Sequence, residues 1–174
     1  DYNQTKAATL AIAEFDGPCY LRFGRPKWPV FTPEDQTFEI GKALMLNEGK
    51  DVTIFATGHL VWKAIEAGHI LAEKGIDVEI INIHTIKPLD KEAILNSARK
   101  TRCVVTAEEH QINGGLGDSV AQVLALNLPT PMEMVAVNDS FGESGTPAQL
   151  MAKYHIDTPD VVAAVERAMA RRKV

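Results

Sequence analysis

Residues 51–84, DVTIFATGHLVWKAIEAGHILAEKGIDVEIINIH, decide the fold. Asp51 to Gly58 is an apolar run rich in β-branched residues that breaks on Thr57-Gly58, which is how a buried strand reads. The period then changes. From about Gly58 to Lys74, Val61, Ala64, Ile65, Gly68 and Leu71 share one side, Lys63, Glu66 and Glu73 the other, and Gly75 supplies the stop. A second strand-like run, DVEIINIH at 77–84, follows. Strand, helix and strand in this order make a right-handed crossover between two parallel strands.

The same alternation continues outward. Asp90 to Ala98 reads as a helix, CVVTAEE (103–109) as a strand, Gly114 to Leu126 as a helix and MEMVAV (132–137) as a strand. On the amino-terminal side, KALMLNEG (42–49) is strand-like and is separated from the 51–58 run by Asn47-Glu48-Gly49, a hairpin-type turn signal. The first two strands are therefore expected to pair antiparallel. The predicted fold is a three-layer α/β/α domain whose mixed five-stranded sheet has four parallel strands and one antiparallel strand. Near the end, Thr146-Pro147-Ala148-Gln149 has the residues of a capping box, and Thr158-Pro159 repeats its first two parts. Val161, Val162, Val165 and Met169 give the last helix an apolar stripe.

Before this domain the pattern differs. Asp1 to Glu14 reads as a helix, Asp16-Gly17-Pro18 stops it, and CYLRF (19–23) reads as a short strand. This is the end of an αβ unit without its beginning, in a chain that starts on Asp rather than Met, so an upstream segment is expected. The proline-rich GRPKWPVFTPEDQTF (24–38) reads as an ordered linker. The expected organisation is an incomplete unit at 1–24, a linker at 25–37 and a complete domain at 38–174.

Composition limits the function. The chain has 174 residues, 45% hydrophobic and 24% charged, with no apolar run of membrane-spanning length, which predicts a soluble, cytoplasmic protein. A net charge of -5, with Arg171-Arg172-Lys173 as the only basic cluster, argues against a nucleic-acid surface. That cluster suits the negative end of the last helix. Cys19 and Cys103 lie in apolar runs without CxxC spacing and are expected to be reduced and buried.

Four groups of residues bear on chemistry. Glu108-Glu109-His110 ends a strand, and Gly114-Gly115-Leu116-Gly117 opens a helix, at the carboxyl edge where open α/β sheets bind ligands. The spacing is not G-x-G-x-x-G and no Gly-Lys-Ser/Thr follows, so His110, Gly114, Gly115 and Gly117 are read as a structural or interface loop. Adjacent on an extended chain, Glu108 and Glu109 point to opposite sides, and one of them suits the amides of the following helix. His59, His84 and His110 end neighbouring strands and could form a metal or acid/base cluster. They lack ligand spacing, and hydrogen-bonded surface positions are the plainer reading. Arg22 and Arg25 flank Phe23-Gly24; the guanidinium fork suits a phosphate or carboxylate, against a solvated or ion-paired role.

Taken together, DGPCYLRFGRP, DVTIFATGHLVWKAIEAGHILAEKGIDVEIINIHTIKPLD, VVTAEEHQINGGLGDSVAQVL and FGESGTPAQL resemble the C-terminal part of a transketolase, especially of the kind encoded as two subunits. The resemblance covers essentially the whole chain, and INIHTIKPLD with EEHQINGGLG is its specific part. It implies that 1–24 is a stub of the pyrimidine-binding domain and 38–174 the third domain of an enzyme that moves a two-carbon ketol unit between ketose and aldose phosphates. It implies thiamine diphosphate and magnesium in the complete enzyme, both held by the absent domains, so this chain alone is expected to be inactive and to bind no cofactor or metal. The implied partners are an N-terminal transketolase section, sugar phosphates and a second copy in a homodimer; no nucleic acid or membrane is expected. Arg25 matches the family's sugar-phosphate arginine, and Arg22 assists it; no catalytic residue is carried over. Deoxyxylulose-phosphate synthases share the general plan but fit those two runs, INIHTIKPLD and EEHQINGGLG, less well; an E1 β-type subunit of a 2-oxoacid dehydrogenase and a non-catalytic interaction domain are the alternative readings.

Overall fold

The computed structural model describes residues 1–172. Its elements are α1 (Tyr2–Glu14), β1 (Leu44–Asn47), β2 (Val52–Ala56), α2 (Leu60–Glu73), β3 (Val78–Asn82), α3 (Lys91–Thr101), β4 (Val104–Gln111), α4 (Leu116–Asn127), β5 (Met132–Val137), α5 (Pro147–Lys153) and α6 (Thr158–Ala170). The sheet order is β1-β3-β2-β4-β5, with β1 antiparallel to β3 and every other pair parallel. The mixed five-stranded sheet is as the alternation predicted.

Every residue of β2 and β3 is buried, which is what covering a parallel sheet on both faces requires. On one face Ile54, Ile80 and Val105 meet Val61, Ala64 and Leu71 of α2 and Val161 and Val165 of α6. On the other, Phe55, Ile81 and Val104 meet Ile94 of α3 and Val120 and Leu124 of α4. Gly68 lets α2 sit close to the sheet: a Cβ there would lie 2.8 Å from Ile80 Cδ1.

Several expectations are corrected. Asn47-Glu48-Gly49 is not a hairpin turn, because β1 pairs with β3 rather than with β2. The connection crosses the start of β3, where the amides of Lys50 and Asp51 donate to Asp77 O (3.2 and 2.9 Å), and a Cβ on Gly49 would lie 2.6 Å from Val78 O. Residues 19–23 form no strand: Tyr20 and Phe23 are exposed and the segment has no ladder to join. Cys103 is buried but Cys19 is exposed, since it lies in that strandless segment. At α6 the cap is Asp157 rather than Thr158, closed by Asp160, whose carboxylate accepts from Asp157 N at 3.0 Å. Thr158 Oγ1 instead donates to Glu66. Thr146 and Gln149 do form the capping box of α5. Arg171 pairs with Glu133 of β5, and Arg172 donates to Asp51 O, so they tie α6 to the sheet; Lys173 lies outside the described residues.

One polar device lies within the apolar layers. Glu79 of β3 is fully buried, accepts from Thr53 Oγ1 at 3.2 Å and is paired with the half-exposed Lys100. Lys100→Met strands that carboxylate and is expected to cost roughly 2 to 3 kcal/mol. Adding Glu79→Leu is expected to recover most of the loss, with urea unfolding of the two variants as the measurement.

Candidate functional site

β4 carries three consecutive side chains with three different fates. Alternation along the strand turns Glu108 inward and Glu109 outward. Glu108 is fully buried, and its carboxylate accepts from Leu116 N and Gly117 N, both at 2.7 Å, at the start of α4. Those amides have no partner inside the helix, and a carboxylate there is favoured by charge and by hydrogen bonding. Each glycine here has its own cause. A side chain on Gly115 would strike the Glu108 carboxylate, one on Gly117 would meet Met134 Sδ at 2.8 Å, and Gly114 takes a φ of +82°.

Glu109 points the other way, to His59 at the start of α2, with Oε2 2.7 Å from Nδ1. The bond from His59 holds the Glu109 carboxyl below the usual carboxylate range against the opposing effect of burial, and the charges of Arg22 and His110 add to the lowering. Trp28 stacks on the His59 ring at 4.5 Å between centroids, and Lys63 Nζ lies 6.0 Å from the Trp28 centroid. The His59 ring also lies against Gly24, so closely that a Cβ would collide with Nε2. Arg22 donates Nη1 to the ring of His110, whose Nε2 lies nearer than Nδ1 at 2.9 Å. Burial, and then the Arg22 cation, push the His110 pKa down, with Glu108 and Glu109 opposing.

The structure thus brings together His59, Glu109, His110 and Arg22, with Trp28 and Gly24 against the His59 ring. Arg25 lies three residues beyond Arg22 in the same loop, exposed, and among the described residues it has no carboxylate partner. His84 does not join them. It ends β3, on the far side of β2 from β4, where its ring meets Phe38 at 4.3 Å and Nδ1 lies 2.9 Å from Thr85 Oγ1. Among the described residues no three His, Cys, Asp or Glu side chains are placed to hold a metal ion. Two shallow hollows, about 210 Å³ beside Asn47, Gly68 and Asp77 and about 250 Å³ between α1 and residues 34–38, contain none of these histidines or arginines. The sequence reading missed the roles of Trp28 and Glu109. A tryptophan among prolines was the one available signal, and the pairing of Glu109 with a residue 50 positions away left none.

Residues 41–161 match the family described as "Transketolase, C-terminal domain". The chain belongs to the transketolase family. It is similar to the 6-deoxy-6-sulfo-D-fructose transketolase subunit of Clostridium sp. (strain MSTE9), 42% identical over 99% of this chain and 53% of that protein. It is also similar to the putative transketolase C-terminal section of Methanocaldococcus jannaschii, 41% identical over 98% of this chain and 54% of the relative. A solved structure titled "Split gene transketolase, inactive beta4 tetramer" matches with a TM-score of 0.96 and 46% identity, over 99% of this chain and 57% of that one. A 1-deoxy-D-xylulose-5-phosphate synthase of Geobacter sulfurreducens is 38% identical over 99% of this chain but only 28% of the synthase. The chain therefore spans about half the length of the curated transketolase relatives it matches. Among the described residues no helix is long and apolar enough to cross a membrane.

Two outcomes test this transketolase C-terminal domain. Glu108→Ala leaves the Leu116 and Gly117 amides buried without an acceptor and is expected to cost about 3 kcal/mol in urea unfolding. His84 has its pKa lowered to about 4, chiefly by burial and against the pull of Asp90. The unfolded chain, with an ordinary histidine near 6.5, takes up the proton first. The stability that neutral His84 provides is therefore complete above about pH 6.5 and lost as pH falls from there through about 4. Allowing for its partial contact with water, the loss is on the order of 2 kcal/mol. His84→Gln is expected to flatten the stability profile across this window, measured by denaturation from pH 7 to 4.

Proposed function

We propose that this chain is the C-terminal part of a thiamine-diphosphate-dependent transketolase, which moves a two-carbon ketol unit between ketose and aldose phosphates once the N-terminal section and the rest of the pyrimidine-binding domain are present. The observation that carries this reading is the likeness to the split-gene transketolase, which extends through α1 and the arginine loop as well as the domain itself. On this reading residues 1–24 complete a pyrimidine-binding domain, 25–37 link it onward, and 38–174 are the third domain. The assembly is cytoplasmic, and the third domain contributes to a dimer. On this reading magnesium and thiamine diphosphate are held upstream of this chain, by the N-terminal section and the rest of the pyrimidine-binding domain. When bound there, thiamine diphosphate supplies the carbon nucleophile.

What this chain supplies is charge for the anionic end of the sugar. Arg25, backed by Arg22, offers a fork of donors able to meet two oxygens of a phosphate at once, and Pro26 restrains the Arg25 backbone to extended geometry. A second reading has the anion as a sulfonate. It rests on the likeness to the 6-deoxy-6-sulfo-D-fructose transketolase subunit, named for a sugar that carries a sulfonate on its last carbon. Either group presents several oxygens to the same fork.

The test joins this chain with the rest of its pyrimidine-binding domain and the N-terminal section, and measures ketol transfer from fructose 6-phosphate, 6-deoxy-6-sulfofructose and unphosphorylated fructose. Arg25→Ala is expected to raise KM for the anionic donors about ten- to a hundredfold, the loss of one charge-assisted contact. The unphosphorylated donor is expected to be nearly indifferent. Equal losses on all three would overturn the anion assignment, and 2-oxoacid decarboxylation in place of ketol transfer would overturn the transketolase reading.

A further inference from the structure

The arginine loop is held by the domain that follows it. It meets that domain through the donation from Arg22 to His110, the approach of Gly24 to the His59 ring, and the stack of Trp28 on that same ring, with Lys63 beyond. His59 opens α2, and His110 ends β4. Glu109, one residue before His110, fixes His59 through Nδ1 at 2.7 Å, leaving the rest of the ring to Gly24 and Trp28. Two adjacent residues of β4 thus anchor the loop at two points, Glu109 through His59 and His110 through Arg22.

We propose that His59, Glu109 and His110 are positioning residues for anion binding: the third domain, through these contacts, sets where the Arg22–Arg25 loop stands and so how tightly the complete enzyme holds the charged end of its sugar. The proposal rests on the reading of this loop given above. An arginine on an unanchored exposed loop loses backbone and rotamer freedom when it grips a ligand, and that loss is subtracted from affinity. Here the loop is ordered beforehand. Gly24 allows it to reach van der Waals contact with His59, and a neutral His110 accepts from Arg22 without repelling it. The lowered pKa of His110 agrees with that protonation state.

The experiment uses the complete enzyme, this chain joined with the rest of its pyrimidine-binding domain and the N-terminal section, carrying Glu109→Gln, His110→Ala or His110→Gln, with fructose 6-phosphate and unphosphorylated fructose as donors. Glu109→Gln and His110→Ala are expected to raise KM for the phosphorylated donor about three- to tenfold with kcat within twofold, and to leave the unphosphorylated donor unchanged. His110→Gln, which keeps an acceptor, is expected to retain most of the original KM. In an Arg22→Ala background the effect of His110→Ala should vanish, because His110 acts through Arg22. A loss shared by both donors, or effects of Arg22→Ala and His110→Ala that simply add, would show a general structural role and overturn the proposal. If Arg25→Ala is selective for the phosphorylated donor while none of these three variants is, the anion reading stands and the positioning role falls. If Arg25→Ala is not selective either, both fall.

Discussion

Each of the five residues of β2 is buried, and the strand is paired in parallel on both edges, with β3 on one side and β4 on the other. A parallel neighbour can be reached only by a crossover, and a strand with two apolar faces needs a helical layer over each. The positions of α2 and α6 on one face and of α3 and α4 on the other follow from this. So does the placement of chemistry: the carboxyl ends of β2 and β4 stand side by side, which puts His59 next to Glu109 although they are 50 positions apart in the chain.

The glycine-rich joint between β4 and α4 resembles a phosphate loop only in composition. Three of its amides are already engaged, two by the buried Glu108 and that of Gly114 by Asp118 at 2.5 Å. Burying a carboxylate is costly unless donors replace its water, and the free amides of a helix start provide them. Gly115 is small so that the carboxylate fits, and Gly117 so that α4 can lie on Met134 and Thr106. Polar satisfaction and close packing require these small residues at Gly115 and Gly117.

The amino-terminal segment depends on the same edge in another way. α1 buries Gln4 and Ala8 but exposes Tyr2 and Leu10, so apolar contact does little to hold it. Polar contacts do more. Asp1 caps α1 through Gln4 N and also accepts from Phe31 N and Thr32 N at 2.7 Å each, while Asn82 Nδ2, at the end of β3, donates to Gln4 Oε1 at 2.7 Å. Geometry-specific bonds of this kind fix orientation, whereas a greasy contact would tolerate sliding.

The sequence by itself determined what short-range periodicity and capping chemistry encode. The 51–84 crossover unit, the alternation that makes four strands parallel, the Thr146–Gln149 cap and the opposite facing of Glu108 and Glu109 all depend on residues within a few positions of one another. Tertiary structure alone decided the rest. That β1 lies beside β3 and not β2 depends on a chain crossing that no local pattern records, and a turn signal at Asn47–Gly49 reads the same in either arrangement. Cys19 to Phe23 had strand composition but no neighbouring strand to bond with, and a strand is a property of a pair. The joining of Trp28, His59, Glu109, His110 and Arg22, and the exclusion of His84, were likewise set by strand order: β2 lies directly beside β4, and β3 does not.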